Sequence, residues 1–297
     1  KYMKVIYKKT QLKDIKQILF LFQNVFKREL SKKYYLSRYL QNNRLNSYIA
    51  LYNNEIVGHI GFTKNNTKVF NNLSYIVYSR HTSMIIDKMR RQGIYNNLCN
   101  FAYKDLNKSK VIGVVIFPNK NNLLVINKKY YNYNLQINSL YTYISKKKYS
   151  KKNEKKFNLT IAKKILKYQN QKSFFMKNIS FYKKNYINLV NNNFYYFSYK
   201  NKYLIYSYKI INNLKYLYIL ELPDIDLNTI DFYKKFLYEF GNNITFINIW
   251  IDQNSKSKIK IIKIFGFKKT NKKFNINFIP FNKFLYNSIE NFDNNYF

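Results

Sequence analysis

Glycine is scarce in this chain, with six in 297 residues, yet four of them, Gly58, Gly61, Gly93 and Gly113, lie between residues 58 and 113. The inflated residues, Lys, Asn, Ile, Tyr and Phe, have A/T-rich codons, and a drift towards such codons removes glycine everywhere alike. Glycines kept in one stretch mark places where the backbone needs them. Gly93 stands at the most constrained of these. "LSYIVYSRHTSMIID" reads as a β-strand. "RRQGIYNNLCNFAYKDL" then places Ile94, Leu98, Phe101 and Ala102 at the i, i+4, i+7 and i+8 spacing of an amphipathic helix. Between them Gly93 follows Arg90, Arg91 and Gln92. A helix N-terminus offers unpaired N–H groups and the positive end of a dipole, and glycine lets the backbone come close to a ligand there. The ligand that suits this arrangement is a phosphate or pyrophosphate.

The flanking segments supply the frame. A short strand at Lys4 to Tyr7 precedes a helix from Gln11 to Arg28, with Leu12, Ile15, Leu19, Phe22 and Phe26 on one face and Thr10 as its cap. "SYIALYNNEIVGHIGF" is a hairpin turning at Asn53 and Asn54, residues that tolerate left-handed backbone. After the helix, "KVIGVVIF" has the continuous apolar run of a strand buried on both faces, and a second helix with the strand "QINSLYTYI" completes the half. "SKKKYSKKNEKK" lacks an apolar anchor and reads as a solvated linker. Beyond it the order recurs: "FYYFSYKNKYLIYSYKI" as hairpin, "LKYLYILEL" as third strand, "DLNTIDFYKKFLYEFG" as helix, "ITFINIWID" as buried strand, then a closing helix and "KFNINFI". The expectation is an α/β protein of two tandem copies, the second divergent, with domains at 1–147 and 158–297 joined by 148–157. Where the first copy has its arginine loop, the second has "PDID", without arginine or glycine.

The net charge of +39 suggests a nucleic-acid binder. Lysine is spread along the whole chain rather than gathered in one tract, however, which is what codon drift produces, so nucleic acid is a conceivable but not a favoured partner. At 46% hydrophobic and 20% aromatic the chain can bury a core. No run of about 18 apolar residues is present for a membrane span, and no secretory signal opens the sequence. A single cysteine, Cys99, excludes an internal disulfide and suits a reducing, cytoplasmic compartment. Oligomeric state is left open.

At the arginine loop the sequence resembles the GNAT superfamily of acyl-CoA-dependent N-acyltransferases. That family's Q/R-x-x-G-x-G/A loop matches Arg90, Gly93 and Tyr95, with Tyr95 in place of the usual small residue, as in the "GIF" or "GIY" form of a branch common in bacterial surface-polysaccharide gene clusters. "YIALYNNEIVGHIGF" is similar to that branch's second and third strands, and "IFPNKNN" to its "FPN" segment, which includes Asn119. The resemblance implies a GNAT-like mixed sheet flanked by helices, and acetyl-CoA or another acyl-CoA as cofactor. It implies that the backbone of Ser83 and Ile85 pairs with pantetheine, that Arg90, Arg91, Gln92, Gly93, Ile94 and Tyr95 hold the pyrophosphate, and that the Ile85 N–H is the oxyanion donor. Asp87 stands where the family usually has proline, and Ile126 where many members place the tyrosine that protonates the leaving thiolate.

Amine acyl transfer needs a group to remove a proton from the nucleophile. His81 is the candidate: strand alternation would put it on the same face as Ser83 and Ile85, and an unperturbed histidine titrates near neutral pH. A hydrogen-bonded structural histidine is the plainer reading. Glu29 reads as a surface carboxylate, His59 as packing or surface, and Cys99 as a small core residue. Two histidines 22 residues apart make poor metal-ligand spacing. The expected activity is N-acetyl transfer to a small amine acceptor, conceivably an amino sugar. The rivals are a FemAB-like transferase taking its donor from charged tRNA, and a non-enzymatic RNA-binding protein.

Overall fold

The structure, a computed structural model, describes residues 4–41, 43–68, 74–108, 111–117, 133–145, 154–168, 177–187, 193–223, 225, 227–240 and 245–281. It divides into two compact units, Lys1–Tyr133 with Asn277–Asn291, and Asn134–Ile276 with Phe292–Phe297.

In the first unit the chain runs β1 (Ile6–Lys9), α1 (Ile15–Phe26), α2 (Lys32–Tyr39), β2 (Ser47–Tyr52), β3 (Glu55–Lys68), β4 (Ser74–Ile85), α3 (Ile94–Leu106) and β5 (Val111–Ile116). The five strands lie side by side in chain order, antiparallel as far as β4. β4 and β5 are parallel, a pairing that requires a crossover, which α3 provides. Asn53 and Asn54 take the left-handed backbone expected of the β2–β3 turn, with φ of 49° and 63°. α1 and α2 cover one face, where Ile18, Leu21, Tyr35 and Tyr39 pack on Ile49, Ile56 and Met84. α3 covers the other, where Leu98, Cys99 and Ala102 meet Ala50, Ile60, Ile85 and Val114. The start of the first helix is closed by Asp14 rather than Thr10: the Asp14 carboxylate accepts from the Gln11 amide at 2.8 Å and pairs with Lys8 at 3.2 Å.

The second unit repeats the pattern with α4 (Leu159–Tyr168), β7 (Phe194–Tyr199), β8 (Lys202–Ile211), β9 (Leu214–Glu221), α5 (Ile230–Glu239), β10 (Thr245–Asp252) and α6 (Lys256–Ile264). β7, β8 and β9 are antiparallel and β9–β10 is parallel, over a core of Phe197, Leu204, Tyr206, Leu217, Phe232 and Phe236. α4, which buries Ile161, Ala162 and Ile165, goes beyond the expected element order.

The closing strands are exchanged between the copies. β6 (Tyr133–Ser145), expected to end the first, pairs antiparallel with β10 of the second. The last strand, β11 (Lys268–Pro280), sends residues 277–280 to pair with β5 of the first. The units are therefore not the consecutive blocks 1–147 and 158–297, because the edge of each parallel pair is filled by the strand that belongs to the other copy in sequence. Of the linker expected at 148–157, only residues 154–157 are described. No described helix is long and apolar enough to cross a membrane.

Gly61 and Gly58 differ in how much room each leaves for a side chain. A Cβ on Gly61 would stand 2.5 Å from the ring of Tyr39, whereas one on Gly58 would meet the movable Cδ1 of Ile85 at 2.6 Å. Gly61→Ala should cost about 1–3 kcal/mol by overpacking and Gly58→Ala less, as read from urea midpoints. Equal losses would contradict the packing described.

Candidate functional site

β4 carries an irregularity near its C-terminal end. His59 faces Met84 and Gly61 faces His81, so Thr82 and Ser83 together oppose Ile60 in a β-bulge. Thr82 has φ of 47°, a true outlier for a β-branched residue. The extra residue shifts the alternation: Arg80 and Ile85 face α3, whereas His81, Thr82 and Met84 face α1 and α2. The expectation that His81 shares a face with Ile85 fails for this reason. Pairing of β4 with β5 ends at Ser79 and Val115. The Ile86 amide donates to the Val57 carbonyl on β3 at 2.9 Å, so by strand alternation the backbone groups of Ile85 and Ser83 turn to the opposite edge, away from β3.

The loop after β4 is held by its own residues. Arg90 pairs with Asp87 at 2.7 Å and donates from Nε to the Ile85 carbonyl at 3.3 Å, so Asp87, the departure from proline, is the anchor of the first arginine. Arg91 is exposed and left-handed, with φ of 63°, and Gln92 donates to the Lys88 carbonyl. Gly93, with φ of 76°, is the N-cap of α3, and a Cβ there would meet nothing within 4 Å. The first helical bond runs from the Asn97 amide to the Gly93 carbonyl, which leaves the amides of Ile94, Tyr95 and Asn96 without an acceptor in the helix. No acidic residue lies in this first turn. Left-handed Arg91 and Gly93, open space and free amides fit a pyrophosphate, as the sequence suggests. The side chain of Ile94 is core, 2% exposed, so only its backbone is offered.

Beneath the loop lies a group the sequence did not signal. Arg80, 9% exposed, donates to Tyr103 Oη at 2.6 Å and to Cys99 Sγ at 3.8 Å, and lies 5.6 Å from the ring centroid of Tyr95. No carboxylate is within ion-pair reach of it among the described residues. The Tyr95 hydroxyl is buried near Ser83 and Cys99, with no hydrogen bond of good geometry among the described residues, and burial pushes its pKa up. Cys99 is fully buried with its thiol pushed up by burial, as a core residue.

On the opposite face two histidines have defined proton positions. Arg38 on α2, which can only donate, reaches His81 Nδ1 at 3.1 Å, so His81 carries its proton on Nε2 and donates it to Thr63 Oγ1 at 3.0 Å. His59 is 0% exposed. Its Nδ1 donates to the Thr82 carbonyl at 3.0 Å, so its Nε2 accepts from Tyr35 at 3.0 Å, and Tyr35 in turn accepts from Ser47 at 2.9 Å. Tyr39 bonds the Thr82 hydroxyl at 2.5 Å. His59, read as packing or surface, and Tyr39, which the sequence did not single out, thus hold the bulge. Glu29 is exposed, as read, beside an open groove of about 480 Å³ lined with Phe20, Gln23, Asn24, Lys27 and Arg28. Asn119 and Ile126 lie outside the described residues.

No protein-family model matches the sequence, and no curated protein matches it significantly. Solved structures share its fold. A GCN5-related N-acetyltransferase from Anabaena variabilis is 10% identical with a TM-score of 0.68, over 93% of this chain and 72% of that one. One from Kribbella flavida is 8% identical at 0.63, over 93% and 70%. N-myristoyltransferase from Saccharomyces cerevisiae, with bound myristoylCoA, is 8% identical at 0.61, over 93% and 82%.

Burial pushes His59 down from 6.5 to about 4, so the fold keeps neutral a ring that the unfolded chain protonates. Its contribution is complete above the unfolded value and is lost as pH falls from 6.5 to about 4. The stability advantage of wild type over His59→Gln, measured by denaturant titration at several pH values, should shrink over that window. A constant difference would refute the assignment.

Proposed function

We propose that this chain, which has the fold of the GCN5-related N-acetyltransferases, is an acyl-CoA-dependent N-acyltransferase. The acyl group is acetyl in the simplest case, and the acceptor is a small amine, an amino sugar among the candidates. The observation that carries the reading is the end of β4–β5 pairing at Ser79, which leaves the last residues of β4 without a paired strand on that edge among the described residues, directly ahead of the open Gly93 turn. Strand edge and helix N-terminus together match the two polar parts of such a cofactor, its amide-bearing arm and its pyrophosphate. Bound acyl-CoA supplies an activated thioester carbonyl. The amides of residues 94–96 and the exposed Arg91 then hold the phosphates, while the outward backbone of Ser83 and Ile85 orients the arm. The Ile85 N–H is the proposed oxyanion donor. The reading places the protein in the cytoplasm, where acyl-CoA is available.

His81 takes a positioning role in this scheme. Its one basic nitrogen is occupied by the Arg38 guanidinium, so proton removal falls to water or to the acceptor amine itself. Loss of a general base costs about 10²- to 10⁴-fold. His81→Gln should therefore lower kcat by less than about tenfold, and a loss within the larger range would restore His81 as the base.

Binding is the direct test. Calorimetry should find one CoA per chain, since the second unit enters α5 through "LPDID" instead of an arginine–glycine turn. Gly93→Val, which forces a β-branched residue to φ of 76° and fills the open space, should abolish the heat. Two equivalent sites, or unchanged binding by the variant, would count against this assignment.

A further inference from the structure

We infer that the amine acceptor carries an anionic group, a carboxylate or phosphate, received by Arg38 beside His81 and Phe117; this rests on the acyltransferase reading. Arg38 is half-buried on α2 and donates to two neutral acceptors, Tyr34 Oη at 3.2 Å and His81 Nδ1 at 3.1 Å. A guanidinium has five N–H donors in a planar fork that matches carboxylate and phosphate oxygens. No carboxylate completes that fork among the described residues. The described aspartates of this unit are committed elsewhere: Asp14 to Lys8, Asp87 to Arg90, and Asp105 to Lys9 and Tyr48. Glu29 and Glu55 are exposed, and no ion pair joins either to Arg38 among the described residues.

Position distinguishes Arg38 from Arg80, a buried arginine that also has no carboxylate partner among the described residues. Arg80 is enclosed by Tyr95, Cys99 and Tyr103 on the α3 face. Arg38 lies on the α2 face, beyond the last β4–β5 pair at Ser79. Phe117, at the end of β5 and 42% exposed, stacks on His81 with ring centroids 6.3 Å apart and planes at 19°. A charged fork and an apolar wall thus meet on the face opposite the loop proposed for the acyl donor. Donor and acceptor would approach the end of β4 from its two faces, and a partly desolvated guanidinium gains most from an anion that completes its bonds.

The test uses matched probes, glucosamine 6-phosphate against glucosamine, and L-phenylalanine against L-phenylalaninamide, titrated by calorimetry without acyl donor. At least one anionic probe should bind about tenfold or more tightly than its neutral partner. The pair that shows the preference identifies phosphate or carboxylate as the group. Arg38→Gln should remove the preference and Arg38→Lys keep part of it, with thermal midpoints confirming that both fold. Equal affinities within both pairs, no binding by either anionic probe, or a preference that survives Arg38→Gln would overturn the inference. Failure of CoA to bind while the anion preference holds would remove the acyltransferase reading and leave the anion site standing.

Discussion

The hydrogen bond from His59 to the Thr82 carbonyl, at 3.0 Å, stabilises a residue in a conformation that L-amino acids avoid. Left-handed backbone costs a non-glycine residue roughly 1–2 kcal/mol, and one hydrogen bond returns about 0.5–1.5 kcal/mol. A second support is therefore needed, and Tyr39 supplies it at the Thr82 hydroxyl. Gly61 exists to admit the Tyr39 ring. With the bulge secured, β4 carries His81 and Thr82 to one face and Ile85 to the other, and turns the backbone of Ser83 and Ile85 outward. The candidate site is the consequence of that irregularity together with the end of pairing at Ser79.

Electrostatics follow from the scarcity of acids. With 53 basic and 14 acidic residues, ion pairs cannot neutralise every cation. Most are at the surface, where water does so. Arg80 cannot use water, and its charge is met by a phenol, a thiol and an aromatic face. Such partners are weaker than a carboxylate, but they leave a positive potential under the loop at Gly93, where phosphates are proposed to sit. The same excess of base that reads as codon drift over the whole chain thus has local uses where side chains are withdrawn from solvent.

The two units share a sheet pattern without sharing the loop. In each, antiparallel strands lead into one parallel pair, β4–β5 or β9–β10, whose pairing stops before the strands end. In the second unit the buried Glu221 at the end of β9 is bonded by Tyr182, Tyr186 and Lys177. The end of β9 thus carries a hydrogen-bonded carboxylate where the end of β4 carries the apolar Ile85.

Local pattern was legible because it depends on near neighbours in the chain. The Asn53–Asn54 turn, the α3 face of Ile94, Leu98 and Ala102, the buried run Val111–Ile116 and the glycine ahead of α3 were all readable from spacing and residue type. So was the recurrence of element order, and with it the resemblance that the solved structures bear out at the level of fold. Three things were decided only by tertiary structure. The bulge at Thr82 reverses the parity on which His81 was placed, and it depends on a histidine and a tyrosine 23 and 43 residues away. The exchange of β6 and β11 depends on which strand edge each meets, and strand sequence does not encode its partner. The states of Arg38 and Arg80 depend on which carboxylates come near, a matter of distance in space that spacing along the chain leaves undetermined.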